Sequence, residues 1–303
     1  MDVHAELDHS PLIPARWPAL QAAVAMLLTA LLGCTHAPEP SLENSFGAFN
    51  FTLESRPAAE QVGLLQELGY QGVAFFWPGA EAFEAFVTVP AVRSGGFRVY
   101  AVLYDFAFAQ PWSREEVDAM LRALAPHQAN LWLILSGPAG PNETMAEAVR
   151  EVVAMATVRG VRVVVYPHDE NAIENVEEAL ALIEAVGRPE LKASLHLCHE
   201  LKAGNRDRLA EVIAAAAPQL VLASINGASR EVDAPGWSAA IQPLDRAELD
   251  VRNSYLLPLI RSGYSGPLVL HTFGIEDRPE EHLRRSYSAW RRMSREVAAT
   301  FEP

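Results

Sequence analysis

From about residue 45 onward, short runs rich in Val, Leu, Phe and Ala alternate with longer amphipathic stretches. A run of four to eight apolar residues reads as a strand buried on both faces, whereas apolar residues three and four apart read as a helix with one face in a core. On that rule Ser45 to Phe51 is the first strand and Ala58 to Leu68 the first helix, with Pro57 suited to its opening turn. Gly69-Tyr70-Gln71-Gly72 stops that helix ahead of the second strand, Val73 to Trp77. Glu81 to Val92 is then helical and Phe97 to Tyr104 a strand. Ser113 with Glu116 forms a capping-box pattern for the next helix, and Leu131 to Leu135 is the fourth strand.

The second half repeats the rhythm. Helix Glu143 to Val158 precedes Val161 to Tyr166, the most β-branched strand of the chain. Ile173 to Val186 carries Ile173, Val176, Leu180 and Ile183 at helical spacing, and Leu191 to Leu197 is strand six. Helix Arg206 to Ala216, strand Leu220 to Ile225 and a loop from Asn226 to Asp245, punctuated by Gly227, Pro235, Gly236 and Pro243, come next. Helix Arg246 to Ser262, strand Pro267 to Phe273 and helix Glu280 to Val297 complete the series. Eight strand–helix pairs in this length predict a single (β/α)8 TIM barrel over residues 45–303. A doubly wound open sheet is the alternative. It wants a glycine-rich turn after the first strand, where Phe49-Asn50-Phe51-Thr52-Leu53-Glu54 stands instead.

In such barrels the chemistry sits at the carboxyl ends of the strands. Four of the nine histidines fall there: His168 after strand five, His196 and His199 at the end of strand six, and His271 on strand eight. Residues two apart share a face of a strand, so Tyr166 with His168, Ser194 with His196, Ser224 with Asn226, and Val269 with His271 form sets that one pocket can collect. Imidazole suits zinc, iron, nickel or copper, and it exchanges protons near neutral pH. Glu54 and Asp105 follow strands one and three as candidate bases or hydroxyl ligands, and equally as solvated loop acids. Lys202 lies three residues beyond His199, where it can polarise a carbonyl or simply face solvent. Trp77, Trp112 and Trp237 lie near the same rim as stacking surfaces or packing.

The first 44 residues follow another rule. Trp17 to Leu32 is uncharged and too short for a comfortable membrane span, and it runs into Leu31-Leu32-Gly33-Cys34. This resembles the lipobox of bacterial lipoproteins. It implies a signal peptide over 1–33, a lipidated Cys34, a tether over 34–44, and an exported protein held to a membrane by the lipid alone. Asp2, Glu6 and Asp8 precede the apolar run against one Arg16, an unusual charge for an export signal. Only Cys34 and Cys198 are present, so an acylated Cys34 leaves no disulfide framework. With 24 basic and 38 acidic side chains the formal charge is −14, which repels phosphate backbones and argues against a nucleic-acid partner.

The lead-in Gly69-Tyr70-Gln71-Gly72-Val73 to strand two, Tyr166-Pro167-His168 on strand five, Leu197-Cys198-His199 on strand six and Gly263-Tyr264-Ser265-Gly266-Pro267 before strand eight together resemble the xylose isomerase-like superfamily of sugar phosphate isomerases and epimerases. The likeness spans Ser45 to about Trp290. It implies a small carbohydrate substrate and one divalent metal held by Glu on strand five, Asp and His on strand six, His on strand seven and Glu on strand eight. This chain has Tyr166, His196 with His199 kept, Ser224 and His271 at those places, so every anionic ligand is missing.

Two functional readings stay open. In one, His168, His196, His199 and His271 form an all-imidazole site for a divalent zinc, iron, nickel or copper ion. In the other no metal binds: His199 and His271 act as acid and base with Glu54 and Lys202 as further candidates, while Tyr166, Asn226, Gln242 and Asp105 hydrogen-bond sugar hydroxyls. The expected activity is isomerisation or epimerisation by proton transfer beside a sugar carbonyl. Elimination or hydration of an oxidised sugar, and a non-catalytic sugar-binding lipoprotein, are the alternatives.

Overall fold

The computed structural model describes residues 42–232 and 236–301. Its strands are β1 (Phe46–Phe49), β2 (Gly72–Phe76), β3 (Arg98–Phe106), β4 (Asn130–Leu135), β5 (Val163–Val165), β6 (Lys192–His196), β7 (Leu220–Ile225) and β8 (Leu268–Leu270). All pair in parallel with their chain neighbours, and β1 pairs with β8, so the barrel is closed in sequence order. The helices are α1 (Ala58–Glu67), α2 (Ala80–Val87), α3 (Pro90–Arg93), α4 (Arg114–Leu124) and α5 (Glu143–Arg159) in the first half. In the second they are α6 (Val176–Val186), α7 (Leu197–Lys202), α8 (Leu209–Ala216), α9 (Leu257–Arg261) and α10 (Pro279–Ala298).

The two-residue period of a strand divides the core into two layers. Leu131, Leu133 and Leu135 of β4 pack outward with Val163 and Val165 of β5 against the helices. Trp132 and Ile134 turn inward with Val164 and Tyr166 to fill the lumen, where Phe49, Leu103, Leu222 and Val269 meet them. Tyr100 fills the amino-terminal end of that lumen. A Cβ on Gly47 would come within 2.6 Å of both the Tyr100 ring and the Gly72 carbonyl, and one on Gly72 within 2.5 Å of the ring, so glycine at both places is a packing requirement.

Local signals fix several helix ends. Ser113 Oγ accepts the Glu116 N–H at 3.2 Å, the cap expected of it, and Asn142 and Asn175 cap α5 and α6 in the same way. Among the expected elements that differ, three have a plain local cause. The helix over 81–92 is split because Pro90 starts a new turn, α3. The helix expected from Ile173 begins at Val176, since Asn175 supplies the cap while the Ile173 carbonyl accepts the His168 N–H at 2.7 Å. The helix over 246–262 is a 3₁₀ turn, a π-helical stretch over Arg252–Leu256 and then α9, because Pro258 has no N–H to give the preceding turn. The expected leader, Cys34 and the start of the tether lie outside the described residues. Among the described residues no helix is long and apolar enough to cross a membrane.

Candidate active site

At the end of β6 the chain turns straight from His196 into α7, so two histidines three residues apart project from different kinds of backbone. His196 belongs to the lumen. Its Nε2 lies 2.7 Å from Ser194 Oγ, whose own proton goes to the Val165 carbonyl at 2.9 Å. Ser194 therefore accepts from His196 Nε2–H, and His196 Nδ1 accepts from Ser224 Oγ at 2.9 Å. The ring stacks on Tyr166 with centroids 3.7 Å apart. Burial and the neighbouring histidines hold its pKa well below the ordinary imidazole value. Neutral and bonded through both nitrogens, it has no lone pair left for a metal.

The other three expected histidines do converge. Tyr166 Oη is 3.3 Å from His271 Nε2, and the His168 and His199 rings lie with centroids 4.3 Å apart. His199 Nδ1 accepts the Asp169 backbone N–H at 3.2 Å, leaving Nε2 buried without a partner. His168 Nδ1 lies 2.7 Å from the Asp169 carbonyl oxygen. Desolvation pushes His271 down to about 3 and His199 well below the usual range. His168, less buried, is lowered less firmly: the Asp169 carbonyl and the charges of Asp169, Asp105 and Glu170 oppose the effect of burial. Tyr166 is pushed well above the usual phenol value by its own burial and keeps its proton.

These groups line a cavity of about 110 Å³ at the carboxyl ends of the strands. That is well below the roughly 300–1,000 Å³ of drug-sized sites, so the space suits a small molecule. Phe51, Phe76, Leu103, Ile134, Ile241 and Phe273 form the rest of the wall, and Trp237 closes it edge-on to His168 and His199 with centroids 5.7 and 5.1 Å away.

Other expected site residues fall elsewhere. Asn226 donates its amide to the Gly227 and Ala240 carbonyls at 2.9 and 2.6 Å and so ties down the loop after β7, while Gln242 pairs with Gly227 through its backbone. Neither lines the cavity: the Asn226 amide nitrogen is spent on loop carbonyls, and Gln242 is held in the loop by its backbone. Asp105 is exposed and accepts the Ser136 hydroxyl, and Glu54 is exposed in the turn after β1, its carboxyl pushed up by partial burial. Lys202 Nζ sits over the Trp237 ring, 5.8 Å from its centroid. Trp77 packs on Phe83 and Trp112 on Phe106, both away from the cavity. Phe51, Phe76, Phe273 and Asp169 carry no expectation from sequence. Extending the strand-end rule to apolar side chains finds the three phenylalanines, whereas Asp169 acts through its backbone, which sequence type does not report.

The four-histidine metal site is not assembled, since His196 is fully bonded to serines. The described residues do bring potential ligand atoms of Cys198, His199 and His271 within 4.8 Å of one another. A thiol with two imidazoles is a set for a soft ion and not for one that prefers oxygen. Its imidazoles are otherwise engaged: His199 Nδ1 is taken by a backbone N–H, so its neutral ring carries the proton on Nε2, and His271 meets the Phe273 N–H through Nδ1 and Tyr166 Oη through Nε2. A metal-bound histidine ordinarily has the opposite arrangement, donating its second N–H outward. The residues present do not fit the metal that the resemblance implies.

Among proteins of curated function, none matches this sequence. Solved structures do match in fold. The probable 3-DHS dehydratase AsbF of Bacillus anthracis superimposes with a TM-score of 0.67 at 12% identity, covering 80% of this chain and 97% of its own. D-psicose 3-epimerase of Clostridium cellulolyticum gives 0.63 at 16% identity, with 84% and 99% covered. The 3-keto-D-glucoside 4-epimerase YcjR of E. coli gives 0.62 at 15% identity, with 82% and 99% covered. At these identities the likeness establishes the barrel alone, but residues 62–293 match a sequence family in their own right, and the chain belongs to that family, the xylose isomerase-like TIM barrels.

Proposed function

We propose that the cavity binds a small carbohydrate bearing a carbonyl group and moves protons at the carbon beside it, an isomerase or epimerase reaction carried by the chain's own imidazoles. The observation that supports it is the convergence of His168, His199 and His271 with Tyr166 on one cavity at the carboxyl ends of the strands. A base there takes the carbon-bound proton, and an N–H donor stabilises the negative charge that develops on the carbonyl oxygen. Returning the proton to the other face of the same carbon epimerises it; returning it to the former carbonyl carbon, while the neighbouring hydroxyl gives up its proton and the former carbonyl oxygen gains one, isomerises the sugar. Burial makes both His271, held near 3, and His199, held well below the usual range, poor bases at neutral pH, so the less strongly lowered His168 suits the base and His199 the N–H donor.

A second reading keeps the same first step and then expels a β-hydroxyl, giving a dehydratase; the fold shared with a probable dehydratase favours keeping it in view. Both place an enolate-like intermediate against the same groups. Incubating the protein in heavy water with a panel of keto-sugars and oxidised sugars tests them: deuterium at the carbon beside the carbonyl supports proton transfer, and loss of water from the product supports elimination. Binding without exchange across the panel would make this a sugar-binding protein. We further propose, on the Leu31-Leu32-Gly33-Cys34 pattern, that Cys34 is lipidated and anchors an exported barrel; Cys34→Ser should release it from membranes, and unchanged association would overturn the anchor.

A further inference from the structure

The two rings nearest each other in the cavity, His168 and His199, meet the same residue through opposite backbone groups. We infer that Asp169 is a positioning residue whose peptide groups set these two histidines in complementary tautomers, so that His168 offers an unprotonated Nε2 and His199 a protonated one. His168 is thereby the base and His199 the donor to the carbonyl oxygen.

Each half of the assignment follows from what a hydrogen bond requires. A carbonyl oxygen has no proton, so the 2.7 Å contact between the Asp169 oxygen and His168 Nδ1 is held by an Nδ1–H. A neutral imidazole carries one proton, which leaves Nε2 of His168 with its lone pair. The Asp169 N–H, 3.2 Å from His199 Nδ1, has to find a lone pair there, which puts the proton of His199 on Nε2. That Nε2–H is buried with no partner in the protein. A buried donor left unmet is unfavourable, so the site is built to receive an acceptor atom.

A second chain of contacts supports the His168 assignment. Asn171 Nδ2 lies 3.0 Å from His168 Nδ1 and its Oδ1 accepts from Ser136 Oγ at 3.0 Å, while Ser136 also bonds Asp105. Ser136 has one proton, and Asp105 as a carboxylate accepts it. The two ends of an amide have nearly the same shape, and exchanging them lets Ser136 accept from the Asn171 nitrogen while it donates to Asp105, which turns the amide oxygen toward the Nδ1–H of His168.

The turn that holds Asp169 has the backbone this needs. Residues 168–171 form a turn closed by Asn171 N–H to the His168 carbonyl at 3.0 Å, with Glu170 at φ 68°. A positive φ at the third position marks type II, in which the central peptide is flipped relative to type I, and this sets where the Asp169 carbonyl points. Glu170 is one of two non-glycine residues with positive φ among those described, and backbone strain of this kind persists where surrounding structure enforces it.

Nitrogen-15 spectra of the histidine rings in the ligand-free protein test the inference directly, because protonated and bare ring nitrogens resonate far apart. We expect a protonated Nδ1 on His168 and a protonated Nε2 on His199; the same tautomer on both rings would overturn it. Asp169→Pro removes the backbone N–H together with the carboxylate at a turn position that favours proline, and Asp169→Ala removes the carboxylate while keeping that N–H, so the difference between the two isolates the N–H. The alanine variant should leave both tautomers as they were. The proline variant should keep His168 unchanged and release His199 into a mixture, and an unaltered His199 in a folded proline variant would contradict the assignment. The inference rests on the proposed function only for what the rings act upon. Correct tautomers without deuterium exchange would count against the function alone.

Discussion

Strands β1 to β4 present Phe51, Phe76, Leu103 and Ile134 to the cavity, whereas β5, β6 and β8 deliver Tyr166, His168, His199 and His271, with Phe273 beside them. The first half supplies shape and excludes water; the second supplies proton donors and acceptors. Each depends on the other. The apolar half is part of the low-dielectric surrounding that keeps the imidazoles neutral, and neutral imidazoles are what allow the aromatic wall to close over them. A sugar, with C–H groups on one face and oxygens at its edge, matches a cavity divided in this way.

The comparison breaks most completely where the two halves share a floor. Trp132, fully buried in the lumen, packs on Phe49 from one side and on Tyr166 and His196 from the other, with centroids 5.4, 5.1 and 5.1 Å away. Trp132→Ala should cost about 3–5 kcal/mol in urea unfolding and loosen both walls. A loss below ~1 kcal/mol would mean that the lumen does not support the mouth.

Acid separates the halves next. The folded state holds His271 near 3 against 6.5 for a free imidazole, so its contribution to stability is fully present above pH 6.5 and is lost as the pH falls through 3. At pH 5 that loss is about 2 kcal/mol for this one group, and His199 and His196 shift in the same direction. Unfolding measured from pH 7 to 4 should therefore show a steep decline that His271→Gln flattens and Phe51→Leu leaves intact. An unchanged slope in His271→Gln would place the titration elsewhere.

How far the sequence reached differs between the halves for a physical reason. Strand alternation grouped Tyr166 with His168, Ser194 with His196, Ser224 with Asn226 and Val269 with His271 as sets that one pocket can collect, and eight apolar runs predicted the barrel. Alternation does not say which nitrogen is spent on which neighbour, so His196 read as a ligand although Ser194 and Ser224 consume it. Asn226 misled in the same way, because an amide beside a strand end serves a loop carbonyl as readily as a sugar. The aromatic half went unread since a phenylalanine at a strand end resembles core; Phe76 and Phe273, 44% and 47% exposed, show their roles only once the fold is known.

The smallest effect is the most specific to the apolar wall. Phe76→Ala should change stability by no more than about 0.5 kcal/mol, since the ring is half exposed, yet weaken sugar binding by about fivefold in calorimetry. Full affinity in that variant would remove Phe76 from the binding surface.

The central claim is that chemistry resides in the histidine half while the aromatic half only binds. It is tested most directly by comparing His168→Gln with Phe51→Leu for deuterium exchange at saturating keto-sugar. The account predicts that His168→Gln binds the sugar with near wild-type affinity and loses exchange by about 10²-fold or more, while Phe51→Leu binds less tightly and exchanges at the wild-type rate once saturated. Wild-type exchange in His168→Gln would contradict it.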